Sequence, residues 1–167
     1  MTRASTSLNL STSKDLFKAI LYTGLLAGFL DGVAAILNYM IGGGKNPISI
    51  FNYIASGVFG IKMAFSGGLL MAFLGLLFHF IIATGWTTLY FLAYPKISLL
   101  AKNKFVSGIV YGLFVWVMMS QVVLPLSNVP VNPAPFNIYK AMVSIGILMV
   151  AIGLPIAIRA NKYYSGK

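Results

Sequence analysis

Polar side chains in this chain gather in a few short stretches, and four long blocks of apolar residues run between them. The blocks cover residues 16–41, 67–93, 105–126 and 138–158. About 20 apolar residues cross the hydrocarbon core of a bilayer, so each block predicts one transmembrane helix. Tyr90, Tyr94, Tyr139 and the pair Tyr163–Tyr164 fall near block ends, where amphipathic rings favour the membrane–water interface. The pattern therefore predicts an all-α fold, an integral membrane four-helix bundle forming one domain over residues 16–160. Residues 161–167 read as a short tail. Residues 1–15 read as a disordered tail, because Thr2 to Ser13 is rich in Ser and Thr.

The connection between the first two blocks has structure of its own. Gly42-Gly43-Gly44 breaks the first helix, and Asn46-Pro47 offers a helix cap followed by a first-turn proline. Phe51, Ile54, Val58 and Ile61 then recur at helical spacing, with Ser49, Asn52 and Ser56 elsewhere on the wheel. This predicts a short helix over about residues 47–61, lying on the outer leaflet or re-entering it. A fifth span is the weaker alternative, because Lys62 and Asn52 interrupt it and it would put the two ends of the chain on opposite sides. The last connection, residues 127–136, carries Pro130, Pro133 and Pro135 and no charge, which predicts a stiff lid or spacer over the outer end.

Composition agrees with a membrane solvent. Of 167 residues, 59% are hydrophobic and 8% charged, against about 25% charged in soluble domains. The formal net charge of +10 arises from twelve Lys and Arg against two acids. These bases stand singly at block ends, as topology signals and anionic-lipid contacts do, and form no Arg-rich stripe of the kind that binds nucleic acid. Arg3, Lys14, Lys18, Lys96, Lys102, Lys104, Arg159, Lys162 and Lys167 fall on one side, and Lys45, Lys62 and Lys140 on the other. That asymmetry predicts both ends of the chain in the cytoplasm. Cysteine is absent, which excludes disulfides, thiolate nucleophiles and cysteine-held metal or iron–sulfur centres. The first block is too long for a signal-peptide core and lacks a small-residue cleavage site, so it reads as a retained span.

Asp31 stands in the middle of the first block, in a chain with no glutamate and one other aspartate, Asp15. A charge at the centre of a spanning helix costs roughly 2.5–3.5 kcal/mol on insertion scales. Gly24, Gly28, Asp31, Ala35 and Asn38 share one helical stripe, and small residues on a stripe let another helix approach closely. Asp31 is therefore expected to face protein. The second block repeats the design with Gly68, Ala72, Gly75, His79, Ala83 and Trp86, placing the chain's one histidine at its centre. Asp31 and His79 lie ~15 Å and ~18 Å from the outer ends of their helices, which predicts similar depth. Two readings stay open. The pair is a proton- or cation-binding site, since each partner shifts the other's protonation in low dielectric. Or it is an interhelical hydrogen bond that fixes packing, worth about 0.6–2 kcal/mol.

Gly108-x-x-x-Gly112 in the third block, and Met142, Gly146, Met149 and Gly153 in the fourth, read as further close-packing stripes. Pro125 and Pro155 are expected to kink or end their spans. Gln121 is expected to pack on a neighbouring helix and Lys62 to snorkel to headgroups. Catalysis is not expected. Two-carboxylate hydrolysis lacks its second acid, Asp31 with His79 is too small a donor set for a zinc centre, and no nucleophile motif surrounds Ser66, Ser107 or Ser120. Gly42-Gly43-Gly44-Lys45 lacks the spacing of a phosphate loop. Neither a cofactor nor a metal is expected.

From the end of the second block onward, Tyr94-Pro95-Lys96-Ile97, Gly108, Pro125, the proline-bearing connection and Ile158-Arg159 resemble the YagU-type family of small bacterial inner-membrane proteins. A histidine ahead of the Pro-Lys-Ile element is typical of that family, and His79 precedes it here at a shorter spacing. The resemblance implies a bacterial inner-membrane location and no assigned chemistry. The leading functional expectation is a small transporter or channel-like protein with Asp31 as the proton or cation site and His79 modulating it. The competing class is an accessory subunit whose small-residue faces bind a membrane partner or a second copy. A leftover small-residue stripe would favour the latter, and a cavity reaching Asp31 the former.

Overall fold

The computed structural model describes residues 2–129 and 137–166, with residues 2–12 described as backbone alone. The expected lid at Pro130, Pro133 and Pro135 lies outside the described residues. Seven helices and no strand occur among those described. They are α1 (Thr2–Ile41), α2 (Ile48–Phe59), α3 (Ile61–Ser66), α4 (Gly68–Ala93), α5 (Ser98–Lys102), α6 (Lys104–Leu126) and α7 (Ile138–Ser165). In α1, α4, α6 and α7, apolar stretches of 29, 26, 23 and 28 residues are long enough to cross a bilayer. Large apolar side chains such as Phe17, Leu69, Phe73, Leu126 and Val150 stay exposed on their outer faces, where lipid is the solvent. The chain is a multi-pass membrane protein.

Helix α1 runs back to Thr2, where the composition predicts a disordered tail. No Gly or Pro interrupts residues 2–23, and extending an existing helix costs far less than nucleating one. Asparagine caps begin three of the later helices: Asn46 Oδ1 accepts from Ile48 N, Asn103 Oδ1 from Phe105 and Val106 N, and Asn137 Oδ1 from Lys140 N.

The spanning helices pack antiparallel. Residues 24, 28 and 32 of α1 meet residues 84, 80 and 79 of α4 in reversed order, and α6 meets α7 likewise. Helix α7 touches each of the other three. Between α4 and α6 the interval is bridged by rings, with Trp86 edge-on to Phe114 at 6.0 Å and Tyr90 edge-on to Tyr111 at 4.7 Å.

The half of the bundle nearest Ser13 and Ser165, called proximal below, holds the main core of Tyr90, Phe91, Tyr111, Val115, Ile156, Ala157 and Ala160. Tyr90 and Tyr94 are buried here, at 1% and 6% exposure, although their positions predict an interfacial role. Their hydroxyls find protein partners instead of water. Tyr90 Oη lies 2.5 Å from Ser107 Oγ, and Asn161 Nδ2 donates to Tyr94 Oη at 2.8 Å. The tail expected at 161–167 is helical to Ser165, and Tyr164 Oη donates to the Phe91 carbonyl at 2.9 Å.

The distal half, towards the 42–67 and 127–137 connections, contains α2. This helix packs along α4 so closely that a Cβ on Gly75 would meet the Phe51 carbonyl. Gly60, at φ +76°, turns the chain out of α2 into α3. The last carbonyls of α2 are satisfied from the far connection, where Asn128 N donates to Gly57 O at 2.9 Å and Asn128 Nδ2 to Val58 O at 2.8 Å.

Both spanning prolines lie inside continuous helices. Pro125 and Pro155 each follow a π-helical turn, Met119–Val123 in α6 and Met149–Gly153 in α7. A proline lacks its N–H and its ring clashes with the carbonyl four residues back, and the wider turn makes room for it. The helix is rewound where a kink or an end is predicted.

Candidate functional site

Asp31 and His79 line one cavity of about 100 Å³ at the middle of the bundle. Every spanning helix contributes to its wall, with Ile82 and Trp86 from α4, Val115 and Met119 from α6, and Leu148 and Ile152 from α7. Ile54 of α2 completes it. Asp31 lies about ten residues, or ~15 Å, from the distal end of α1, so α2 reaches deep into the bundle rather than resting across its end. Irregular segments at such depth persist where protein surrounds them, and α2 is held by α4 on one side and Asn128 at its end.

His79 is fixed from α1. Its Nε2 lies 2.8 Å from the Gly28 carbonyl oxygen, and a carbonyl only accepts, so Nε2 carries hydrogen and donates. The ring passes close by Gly32, where a Cβ would stand 3.3 Å from Nε2. Among the described residues no hydrogen bond or ion pair joins His79 to Asp31; the two groups share a cavity rather than a bond. The space has room for water, and a water molecule there can bridge a carboxylate and an imidazole. Asp31 and His79 are the two ionisable side chains on its wall. Lys62 is exposed on α3 and does not line it.

The small-residue positions divide into those at helix contacts and those elsewhere. A Cβ on Gly24 would meet Thr84, and one on Gly28 would meet Phe80 and Ala83, which brings α1 against α4 on the proximal side of the His79 bond. Gly108, Gly112 and Gly153 bring α6 against α7, with Gly108 facing Gly153 and Gly112 facing Met149. Ala72 is buried, while the contact at Gly75 is with α2 instead of α1. Ala35 is half-buried. Asn38 is exposed in a separate polar recess beside Asn137, Tyr139 and Lys140, between the distal ends of α1 and α7.

Two glycines stand apart from the expected packing role. Gly68 has φ +57° and no neighbour within 4 Å of its would-be Cβ, so it serves the turn into α4. Gly146 also opens onto empty space, since α6 and α7 cross at Gly108–Gly153 and diverge beyond. The indole of Trp116, donating to Ser144 Oγ at 2.8 Å, spans that divergence. Gln121 is exposed, and its Nε2 lies 3.4 Å from Ser120 Oγ of its own helix rather than against a neighbour.

Gly32 and the two π turns do not stand out by spacing, and the spacing that marks Ile54 as apolar-faced does not place it at the cavity. A signal for the turns does exist. Met119-Ser-Gln-Val-Val-Leu-Pro-Leu and Met149-Val-Ala-Ile-Gly-Leu-Pro-Ile repeat one pattern at an interval of 30 residues, and both segments reach the cavity, through Met119 and Ile152. Such turns occur often at functional sites. Among the described residues no three His, Cys, Asp or Glu side chains come together as metal ligands would. Comparison with protein-family models, curated proteins and solved structures gives no match for this chain.

Proposed function

We propose that this protein is a small transporter or channel-like protein of a bacterial inner membrane, in which Asp31 binds and releases a proton or cation and His79 modulates it. The observation that carries the reading is the shared cavity, with the chain's one intramembrane acid and its one histidine facing the same water-sized space at mid-depth. Ionisable groups at that depth mark ion and proton pathways by default. His79 is held through Nε2, so its ring keeps a fixed place on the cavity wall from which it modulates Asp31.

The accessory-subunit reading has less support. Gly24, Gly28, Gly75, Gly108, Gly112 and Gly153 are spent on contacts inside the bundle, and the glycines left open, such as Gly85 and Gly146, form no stripe. The excess of basic residues on the side of Lys14, Lys96 and Arg159 supports both ends of the chain in the cytoplasm, beside anionic headgroups. The resemblance of residues 94–159 to the YagU-type family supports the bacterial inner membrane.

Proton flux into proteoliposomes, read with an enclosed pH dye under imposed gradients, tests the proposal. Asp31→Asn keeps the side-chain shape and removes the titrating group. Flux should fall at least tenfold with thermal stability retained, and equal flux from the native chain and this variant would overturn the reading.

A further inference from the structure

We propose that the protein's transported ligand is a small organic monocation with an apolar body, seated with its charge at Asp31. The inference rests on the reading of Asp31 as an exchangeable charged site and adds the class of molecule that exchanges there.

A second cavity, of about 290 Å³, lies between α2, α4 and α6, walled by Tyr53, Val58, Phe78, Ile81, Val123 and Leu124 among others. No charged side chain lines it. It adjoins the Asp31 cavity across three residues that line both, Ile54, Ile82 and Met119. Met119 belongs to the π turn of α6, and an unbranched thioether side chain re-packs more easily than a branched one. The two spaces lie side by side with those three residues between them, the larger wholly apolar and the smaller ending on Asp31, with His79 and the indole of Trp86 on the same wall.

The chemistry of these two spaces excludes the simpler occupants. Sodium, calcium or magnesium requires several oxygen ligands, whereas the wall offers a single carboxylate, and the Gly28 carbonyl already receives His79. A neutral apolar molecule would fill the larger space and leave the charge of Asp31 without a counterpart. A monocation with an apolar body satisfies both parts, since its charge neutralises Asp31 and gains from the Trp86 ring while its body fills the larger cavity against apolar side chains. The volumes suit a ligand of about ten non-hydrogen atoms.

The probe is phenyltrimethylammonium, and tert-butylbenzene is its neutral counterpart of the same shape. Trp86 and Trp116 are the two tryptophans of the chain, so Trp86 emission is read in full-length Trp116→Phe protein in detergent. Saturable quenching by the cation, with affinity at least tenfold above that of tert-butylbenzene, is expected. Asp31→Asn should remove that preference and leave tert-butylbenzene binding within twofold. Ile81→Phe, which narrows the larger cavity without adding an indole, should weaken both ligands tenfold. Equal affinity for the two ligands in the native chain overturns the inference without recourse to any Asp31 variant, as does an unchanged preference in Asp31→Asn. Proton flux that depends on Asp31 while phenyltrimethylammonium fails to bind overturns this inference alone. Charge-selective binding without proton flux upholds it and overturns the proton-transfer reading.

Discussion

In the proximal half of the bundle, Ile156, Ala157 and Phe91 have no exposed surface, and four tyrosine hydroxyls, those of Tyr90, Tyr94, Tyr111 and Tyr164, all have hydrogen-bond partners in the protein. In the distal half, Leu69, Leu70 and Phe73 at the start of α4 face outward, and the interior is occupied by the short helix α2 and two cavities. The proximal hollow of about 350 Å³ lies instead to one side of the core, between α4 and α6 beside Tyr90, Ser107 and Tyr111. Asn52 Oδ1 of α2 is buried in the distal half without a hydrogen-bond partner among the described residues. The difference teaches where an intramembrane charge is tolerated. Asp31 sits at the level where the glycine contacts of α1 with α4 give way to a cavity walled from all four spanning helices and α2, so neither half alone makes the site.

The comparison breaks most severely at Gly153. Its Cβ would run into the Gly108 carbonyl and the Gly112 nitrogen, so Gly153→Val must push two backbones apart. A loss of about 3 kcal/mol is expected, the upper end for overpacking, measured by SDS-titrated unfolding in mixed micelles. A loss under about 0.5 kcal/mol would show that the proximal half is not the closely packed one. A smaller effect comes from Tyr111→Phe, which deletes the hydroxyl that donates to the Trp86 carbonyl at 2.6 Å. About 1 kcal/mol of stability should disappear in the same titration, with Asp31-dependent proton flux retained. Flux lost along with stability would mean that the two halves are coupled through α4. The smallest change is expected from Gly146→Ala, which meets open space. Stability should hold or rise by up to about 1 kcal/mol, because alanine is the better helix former. A clear loss would instead place a second copy of the chain against that face.

The spans are legible because a long apolar block in a chain with 8% charge has hardly any use besides crossing a membrane. Gly24, Gly28 and Asp31 on one stripe also make the facing helix readable, since glycine at four-residue spacing has one main use between helices. The depth of α2 is not legible. Phe51, Ile54 and Val58 would make the same apolar face on a surface helix as on one entering the bundle, and the pattern contains no measure of depth. Tyr90 and Tyr94 mislead for a related reason, because an amphipathic ring suits an interface and an internal hydroxyl network equally. The bond from His79 goes to the backbone carbonyl of Gly28, and an accepting carbonyl is present at every residue, so the sequence carries no mark of it.

The paired π turns have a consequence for how these helices tolerate changes in length. Each turn holds one residue more than the α-helical path it replaces, in effect an insertion absorbed without a loop. Loss of one codon inside Met149–Gly153 would let the turn relax to ordinary pitch with the following stretch still facing the same way, because the wide turn covers about the same rotation as the α-helical turn that replaces it. Ile156, Ala157 and Ala160, the most deeply buried residues of α7, would stay on the core, and the strain would fall on Pro155, whose ring would again meet the carbonyl four residues back. The extra residue thus serves the proline, and the packed face of the helix keeps its register with or without it.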